Sequence, residues 1–391
     1  MNLAAKQAAC PPKSILLDLD TKVSEAPLKS AVAPRESFLW IDILRGLASF
    51  GVVLLHVRTE LWCGLKPMLA EPARFSSFER MIGWLSVPTA FMGSGVMLFF
   101  LLSGFCIHRP YAKPSATMQY GSYARRRFYR IYPPYLVAVL LTAAVELLKS
   151  SLVGSAVTPA PDVVKTAFFV QYFGTPANMP ANPALWSLPV EAELYVVYPL
   201  VFWLLHRWGM SAVAALCAAV SLAACVAWNG QYMGEVHFPK YWIIWVAGAL
   251  MAERLRGTPP KWKPAYWLIA AVFVPAAIAS EAGETLHQLR PYLWAAGFLP
   301  VIWWGLCHGE IIERIPPRLK KGFSYLGKIS FSLYLIHYPF FHLSGALMVK
   351  WLGHKPTNYF VPLFFSVLAV GLAAAFYHLV EAPFHRLARR A

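Results

Sequence analysis

Apolar runs recur along this chain at about 40–59, 86–107, 132–149, 186–205, 210–227, 240–254, 265–281, 291–307, 329–349 and 359–380, separated by polar or Pro- and Gly-rich turns. A bilayer core takes about 20 apolar residues in helical form, and lipid offers no partner to the backbone amides of an irregular segment. The pattern therefore predicts an all-α integral membrane protein, a bundle of about ten transmembrane helices. Residues 240–254 are short for a straight span. The same pattern divides the chain into an amino-terminal tail over 1–37, a membrane domain over 38–385 and a short carboxy-terminal tail over 386–391.

Composition narrows the environment. Hydrophobic residues make up 58% of the chain and charged ones only 14%, which a soluble surface does not support. Charge placement then orients the bundle. With the amino terminus inside, the segments on that side hold more than twice as many Lys and Arg as those outside, concentrated at 109–130, 252–263 and 308–328. The expectation is a multi-pass protein of a bacterial cytoplasmic (inner) membrane with both termini cytoplasmic. The net charge of +16 needs no nucleic acid, because basic loops facing anionic lipid account for most of it. No secretory signal peptide is expected, since the first apolar run starts late and continues as a full span. The six cysteines lack metal-ligand spacing, so no metal is expected, and with only Cys63 in a proposed external loop a disulfide framework is not expected either.

Ionisable groups inside apolar runs are costly and normally face a polar interior. The first run carries Asp42, Arg45 and His56. From Arg45 to His56 a helix turns through a net of about 20° and climbs roughly 16 Å, so the two share a face at different depths. Asp42 and Arg45 can form an internal ion pair, and His56 can make a structural hydrogen bond, but neither reading explains the shared face. Arg109 and the cluster Arg125, Arg126, Arg127 and Arg130 flank one short loop ahead of the third run. They suit either membrane anchoring or a phosphate clamp, since guanidinium groups bind phosphate oxygens in bidentate fashion. Glu191 enters the fourth run a turn or two below the outer surface, at a depth comparable with His56. Glu193 follows two positions later and points elsewhere; Trp186 and Tyr195 lie close by in sequence. In the ninth run Ser330, Tyr334 and His337 share a stripe, where His337 either caps a break at Pro339 or lines a polar tunnel.

At these positions the chain resembles the membrane acyltransferase-3 family. The resemblance rests on Asp42, Arg45 and Gly46 with a histidine eleven positions after the arginine, on the FF-x-L-SGF segment Phe99 to Phe105, and on the R-I-x-P of Arg130 to Pro133. It continues through WSL-x-VE from Trp186 to Glu191, with Pro189 at a serine-like position, and SLYLIH-x-P from Ser332 to Pro339. The family's frequent VEEQF reads VEAEL here, so Glu191 matches its principal glutamate while Glu193 stands where glutamine is usual. The order of motifs holds from residue 38 to about 385. Of the family's two forms the chain is similar to the stand-alone type, without an appended hydrolase-like domain.

The resemblance implies acyl transfer, most commonly acetyl, from cytoplasmic acetyl-CoA or another acyl-CoA to a hydroxyl of a glycan or lipid-linked sugar reached from the outer side. On that basis His56 is expected to act as general base with Glu191 orienting it. Arg45, Arg125, Arg126, Arg127 and Arg130 are expected to hold the donor. Asp42 at the donor entrance and Trp186, Tyr195 and His337 around the pocket complete the set. Direct transfer and a transient acyl-histidine both use His56. A transporter or flippase for a polar lipid-linked substrate is the rival reading, because intramembrane Arg, Glu and His also mark such routes. A non-catalytic sensor gives no reason for a histidine and a glutamate at similar depth.

Overall fold

The computed structural model describes residues 34–113, 115–173, 179–227, 237–256, 261–281 and 286–390, and among the described residues there is no strand. The tail over 1–33 and Cys10 lie outside them. Each of the ten apolar runs is essentially helical. In chain order the helices are α1 Pro34–Leu61, the short α2 Leu65–Ala70 and α3 Ser77–Leu85, α4 Gly95–His108, α5 Tyr120–Val153 and α6 Ala160–Ala167. There follow α7 Ser187–Ala227, α8 Phe238–Arg254, α9 Trp267–Ala279, α10 Arg290–Cys307, the short α11 Gly309–Glu313, α12 Pro317–Leu352, α13 Phe360–Phe376 and α14 Ala382–Arg390. Five stretches are long and apolar enough to cross a membrane: Leu39–Leu61, Ser77–Tyr111, Tyr120–Val153, Pro183–Ala227 and Phe360–Ala388. The protein is an all-helical integral membrane protein. Large apolar side chains such as Leu147, Val196, Trp203, Leu222, Val367 and Leu379 stand exposed on these helices, where lipid would cover them.

Three boundaries differ from the sequence pattern. Helix α5 begins at Tyr120, not near 132, and runs through Pro133 and Pro134. The arginine cluster is therefore part of the helix and not of a loop before it. The runs at 186–205 and 210–227 form one continuous element bent at Gly209, whose φ of 77° only glycine adopts freely. Pro339 does not break α12. A proline supplies no N–H to the carbonyl four residues earlier, here Leu335, and that carbonyl instead accepts a hydrogen bond from Asn182 Nδ2 at 2.9 Å. Borrowing a side-chain donor keeps the helix intact.

The core is organised by two close helix crossings at glycine. A Cβ on Gly46 would lie 2.9 Å from the Gly327 backbone nitrogen, and one on Gly327 would run into the Asp42 carbonyl. Backbones of α1 and α12 thus touch, and successive contacts climb both helices together, from Gly46 with Gly327 to His56 with His337 and Glu60 with His342. The two helices are parallel. Likewise a Cβ on Gly104 would run into the Trp245 carbonyl and one on Gly248 into that of Leu101, which sets α4 against α8. Small residues at helix crossings are how membrane bundles gain packing where lipid removes the hydrophobic drive between helices.

Gly327→Ala is expected to force α1 and α12 apart at a cost of roughly 1–3 kcal/mol. The measurement is the Tm of the purified protein in detergent; an unchanged Tm would mean that the crossing carries no weight.

Candidate functional site

The sequence motifs, scattered over nearly three hundred residues, meet around one cavity of about 330 Å³. Its walls include Arg45 from α1, Ser103 and Cys106 from α4, Arg127 and Arg130 from α5, Ser187, Glu191 and Tyr195 from α7, and Tyr334 from α12. Local geometry explains why these side chains point together. Arg127 and Arg130 are three positions apart on α5 and share a face. Arg125 and Arg126 are exposed and do not line the cavity. The basic cluster thus divides, because a helix cannot send four near-adjacent side chains to one side.

Hydrogen bonds stitch the motifs to one another. Ser103 of the SGF segment donates to Glu191 Oε1 at 3.1 Å, and Tyr195 Oη donates to the same oxygen at 2.5 Å. Ser187 of the WSL segment and Tyr334 of the SLYLIH segment are 2.7 Å apart, and Tyr334 Oη also donates to the Ala184 carbonyl at 2.6 Å. Arg127 is less fully paired. Its guanidinium lies over the Tyr123 and Tyr195 rings at 5.5 and 5.6 Å, yet its buried Nε has no hydrogen-bond partner. An unsatisfied cationic donor at a cavity wall fits an anionic ligand group.

Beyond the Tyr334 end of this cavity lies a pair of histidines. Tyr334 and His337 have ring centroids 6.0 Å apart, and His337 Nε2 meets His56 Nδ1 at 2.8 Å. His337 is fully buried, and its Nδ1 lies 2.8 Å from the Leu333 carbonyl. A carbonyl only accepts, so His337 Nδ1 carries the hydrogen, and a neutral His337 offers a lone pair at Nε2. His56 must then donate from Nδ1. The remaining nitrogen of His56, Nε2, is left with its lone pair.

This arrangement corrects the expected partner of His56. Glu191 bonds to Ser103 and Tyr195 in the arginine-lined cavity, and the group hydrogen-bonded to His56 is His337. Glu191 shares a cavity wall with Arg45, while His56 lies eleven positions further along α1, so the two are not at the common depth expected from the sequence. Tyr195 likewise belongs to the arginine-lined cavity, and Trp186 packs behind it among aromatics, with the lining residue Phe100 at 6.4 Å and Tyr241 at 5.8 Å. Asp42 does not line the cavity, although the charges of Arg45 and Arg130 act on it. Glu193 ties α7 to the start of α8, accepting from the Phe238 N–H at 2.8 Å and pairing with His237 at 2.9 Å. Its departure from the family pattern is thus a structural joint.

Two buried carboxylates had no signal in the apolar pattern beyond their presence. Glu146 accepts from Thr158 Oγ1 at 2.7 Å and Thr158 N–H at 3.1 Å, pinning a loop to α5. Glu381 accepts from Ser332 Oγ at 2.5 Å, and the charges of Arg130 and Arg45 act on it as well. A single π-helical turn over Tyr377–Glu381, between α13 and α14, carries Glu381 into the interior. The five described cysteines are free thiols.

The family model of an acyltransferase domain, of the acyltransferase-3 type, matches residues 38–378. Acyltransferase MdmB of Streptomyces mycarofaciens is 26% identical over 80% of this chain and 86% of its own length. The putative peptidoglycan O-acetyltransferase YrhL of Bacillus subtilis (strain 168) is 25% identical over 74% of this chain and 50% of its own length. Nodulation protein 10 of Rhizobium leguminosarum bv. viciae is 22% identical over 76% of this chain and 83% of its own length. No solved structure matches the chain significantly.

Glu381→Ala removes a buried counter-charge to Arg45 and Arg130 and should destabilise the protein by about 3 kcal/mol. Thermal melting in detergent checks this, with Glu381→Gln, which retains a partner for Ser332, falling in between. Equal melting of all three forms would show that the arginines are balanced elsewhere.

Proposed function

The chain belongs to the acyltransferase-3 family, and from that premise we propose that it transfers an acyl group, acetyl by preference, from acyl-CoA to a hydroxyl of a carbohydrate or lipid-linked glycan. The observation that carries the reading is the polarised histidine pair. His337, anchored to the Leu333 carbonyl, takes the Nδ1 hydrogen bond of His56 and so presents the His56 Nε2 lone pair as a base. MdmB, by name an acyltransferase, supports acyl transfer, and YrhL, by name a putative peptidoglycan O-acetyltransferase, supports a hydroxyl of a carbohydrate polymer as acceptor.

In the proposed step the acceptor hydroxyl gives its proton to His56 Nε2 as its oxygen attacks the thioester carbonyl carbon. The carbon–sulfur bond breaks, and the departing sulfur takes the proton back from His56. His337 supports the transient imidazolium by accepting its Nδ1 hydrogen, the orienting role that a buried acid plays in other catalytic histidine pairs. The donor fits the arginine-lined cavity by charge and by size. About 330 Å³ lies near the lower end of the range for small-molecule sites. It accommodates an acylated pantetheine arm better than a whole nucleotide. Arg127, with its unpaired buried Nε, and Arg130 would face the donor phosphates, with Arg45 further along the wall. Glu191 fixes the Ser103 and Tyr195 side of that wall.

The placement of Lys and Arg supports both termini on the cytoplasmic side of a bacterial inner membrane with about ten crossings of the chain. Donor entry from inside and acceptor entry from outside follow from that topology. The rival transporter reading is disfavoured by the family match over most of the chain.

Purified full-length protein incubated with labelled acetyl-CoA and candidate glycans should yield a product one acetyl group heavier, measured by mass spectrometry. His56→Ala should abolish the product while leaving acetyl-CoA binding nearly intact, and undiminished turnover in that variant would sink the general-base assignment. The division of the basic cluster makes a sharper demand on the donor site. Arg127→Gln should raise the donor KM by about tenfold, equivalent to about 1.4 kcal/mol, while Arg126→Gln changes it little. Equal effects from both would assign the cluster to membrane anchoring.

A further inference from the structure

On the side of the histidine pair opposite the arginine-lined cavity, Tyr338 stands edge-on to His56, ring centroids 4.9 Å apart. Its hydroxyl donates to Glu60 Oε1 at 2.9 Å, and Glu60 Oε2 accepts from His342 Nδ1 at 3.1 Å. His342 Nε2 in turn accepts from Lys149 Nζ at 2.7 Å. Glu60, His342 and Lys149 open onto a second cavity, of about 620 Å³, completed by Lys350 and Lys355. None of these residues had a role in the sequence reading, and the mechanism above does not use them.

The lining is distinctive in charge. Three ammonium groups face a single carboxylate, and that carboxylate is already occupied by two hydrogen bonds. The lysines are also held in place across elements. Lys350 Nζ donates to the Leu152 carbonyl, and Lys355 Nζ donates to the Thr59 carbonyl at 2.6 Å. An ammonium has three donors, so each keeps hydrogens to offer a ligand after these bonds. Convergence of lysines at this end of α1 and α12 also runs against the ordinary depletion of cations outside the membrane. Anchoring to lipid would spread such charges around the bundle, whereas these three surround one opening.

We infer that this second cavity is the acceptor subsite and that it selects an acceptor bearing an anionic group, a carboxylate or a phosphate, beside the hydroxyl to be acylated. The volume lies within the small-molecule range. A neutral sugar can satisfy lysine donors through its hydroxyls, but only an anion also balances the surplus positive charge that converges on this opening. Glu60 lines this recess and is bonded to Tyr338, which packs edge-on against His56, so a single side chain lies between the recess and the base. The acceptor role rests on the acyl-transfer reading; the anion selectivity rests on the lysines alone.

Equilibrium dialysis of the full-length protein in detergent separates the two. The probes are radiolabelled digalacturonic acid, galactose 1-phosphate and, as neutral reference, digalactose. The wild type should bind at least one anionic probe about tenfold or more tighter than the neutral one, with the preference falling as salt is raised. The double variant Lys350→Gln/Lys355→Gln should lose that preference, and Lys350→Arg/Lys355→Arg, which keeps the charges, should retain most of it. Equal binding of all probes by the wild type, or an unchanged preference in the Gln variant, overturns the inference. A carboxylate-only or phosphate-only preference identifies the source of the anion. Turnover with acetyl-CoA is the second arm. Anion preference without acylation of any probe would leave the subsite standing as an anion site and count against acyl transfer, whereas acylation that ignores acceptor charge would overturn the subsite alone.

Discussion

Two parallel helices whose backbones touch set everything else in this molecule. Gly46 and Gly327 leave no room for a side chain where α1 and α12 cross. From that point His56 is ten residues along one helix and His337 ten along the other, a climb of about 15 Å on each. Equal counts from a shared origin bring the two imidazoles to 2.8 Å. A slip of one residue would rotate one ring by about 100° out of reach. About a turn further on, Glu60 meets His342.

A membrane interior makes polar groups find partners inside the protein, and here several of those partners are residues of the chain's own motifs. Ser187 meets Tyr334, Ser103 meets Glu191, and Ser332 meets Glu381. Asn182 supplies the donor that Pro339 lacks. In hydrocarbon each such bond replaces an unsatisfied group costing several kcal/mol, so the bonds specify which helices adjoin. Arg127 Nε is one of several buried polar atoms without such a partner, and Arg127 is the one of those residues that lines the arginine-lined cavity.

Along α1 and α12 the polar features fall into three successive zones. Arginines line the first cavity, the histidine pair occupies the middle, and lysines surround the second cavity. Both outer zones are cationic, and only the middle zone carries a base with a free lone pair. An arrangement with anion-attracting recesses on either side of one base suits a reaction that joins two substrates arriving from opposite directions. It also explains why a single helix carries Arg45, His56 and Glu60.

Helical class, the ten apolar segments and the shared face of Arg45 and His56 were determined by the sequence alone, because period and spacing within one helix are local properties. The motifs also marked Arg125, Arg126, Arg127 and Arg130 as one cluster and His337 as a cap or tunnel residue. What only the tertiary structure decided is the pairing across helices: His337 and not Glu191 beside His56, Arg125 and Arg126 outside the cavity, Glu381 buried against Ser332, and three distant lysines around one opening. Depth along a helix can be read from residue count, but the neighbour that a face meets, and at what register, depends on where glycines let backbones close together. That is a property of several helices at once, and no window of sequence contains it.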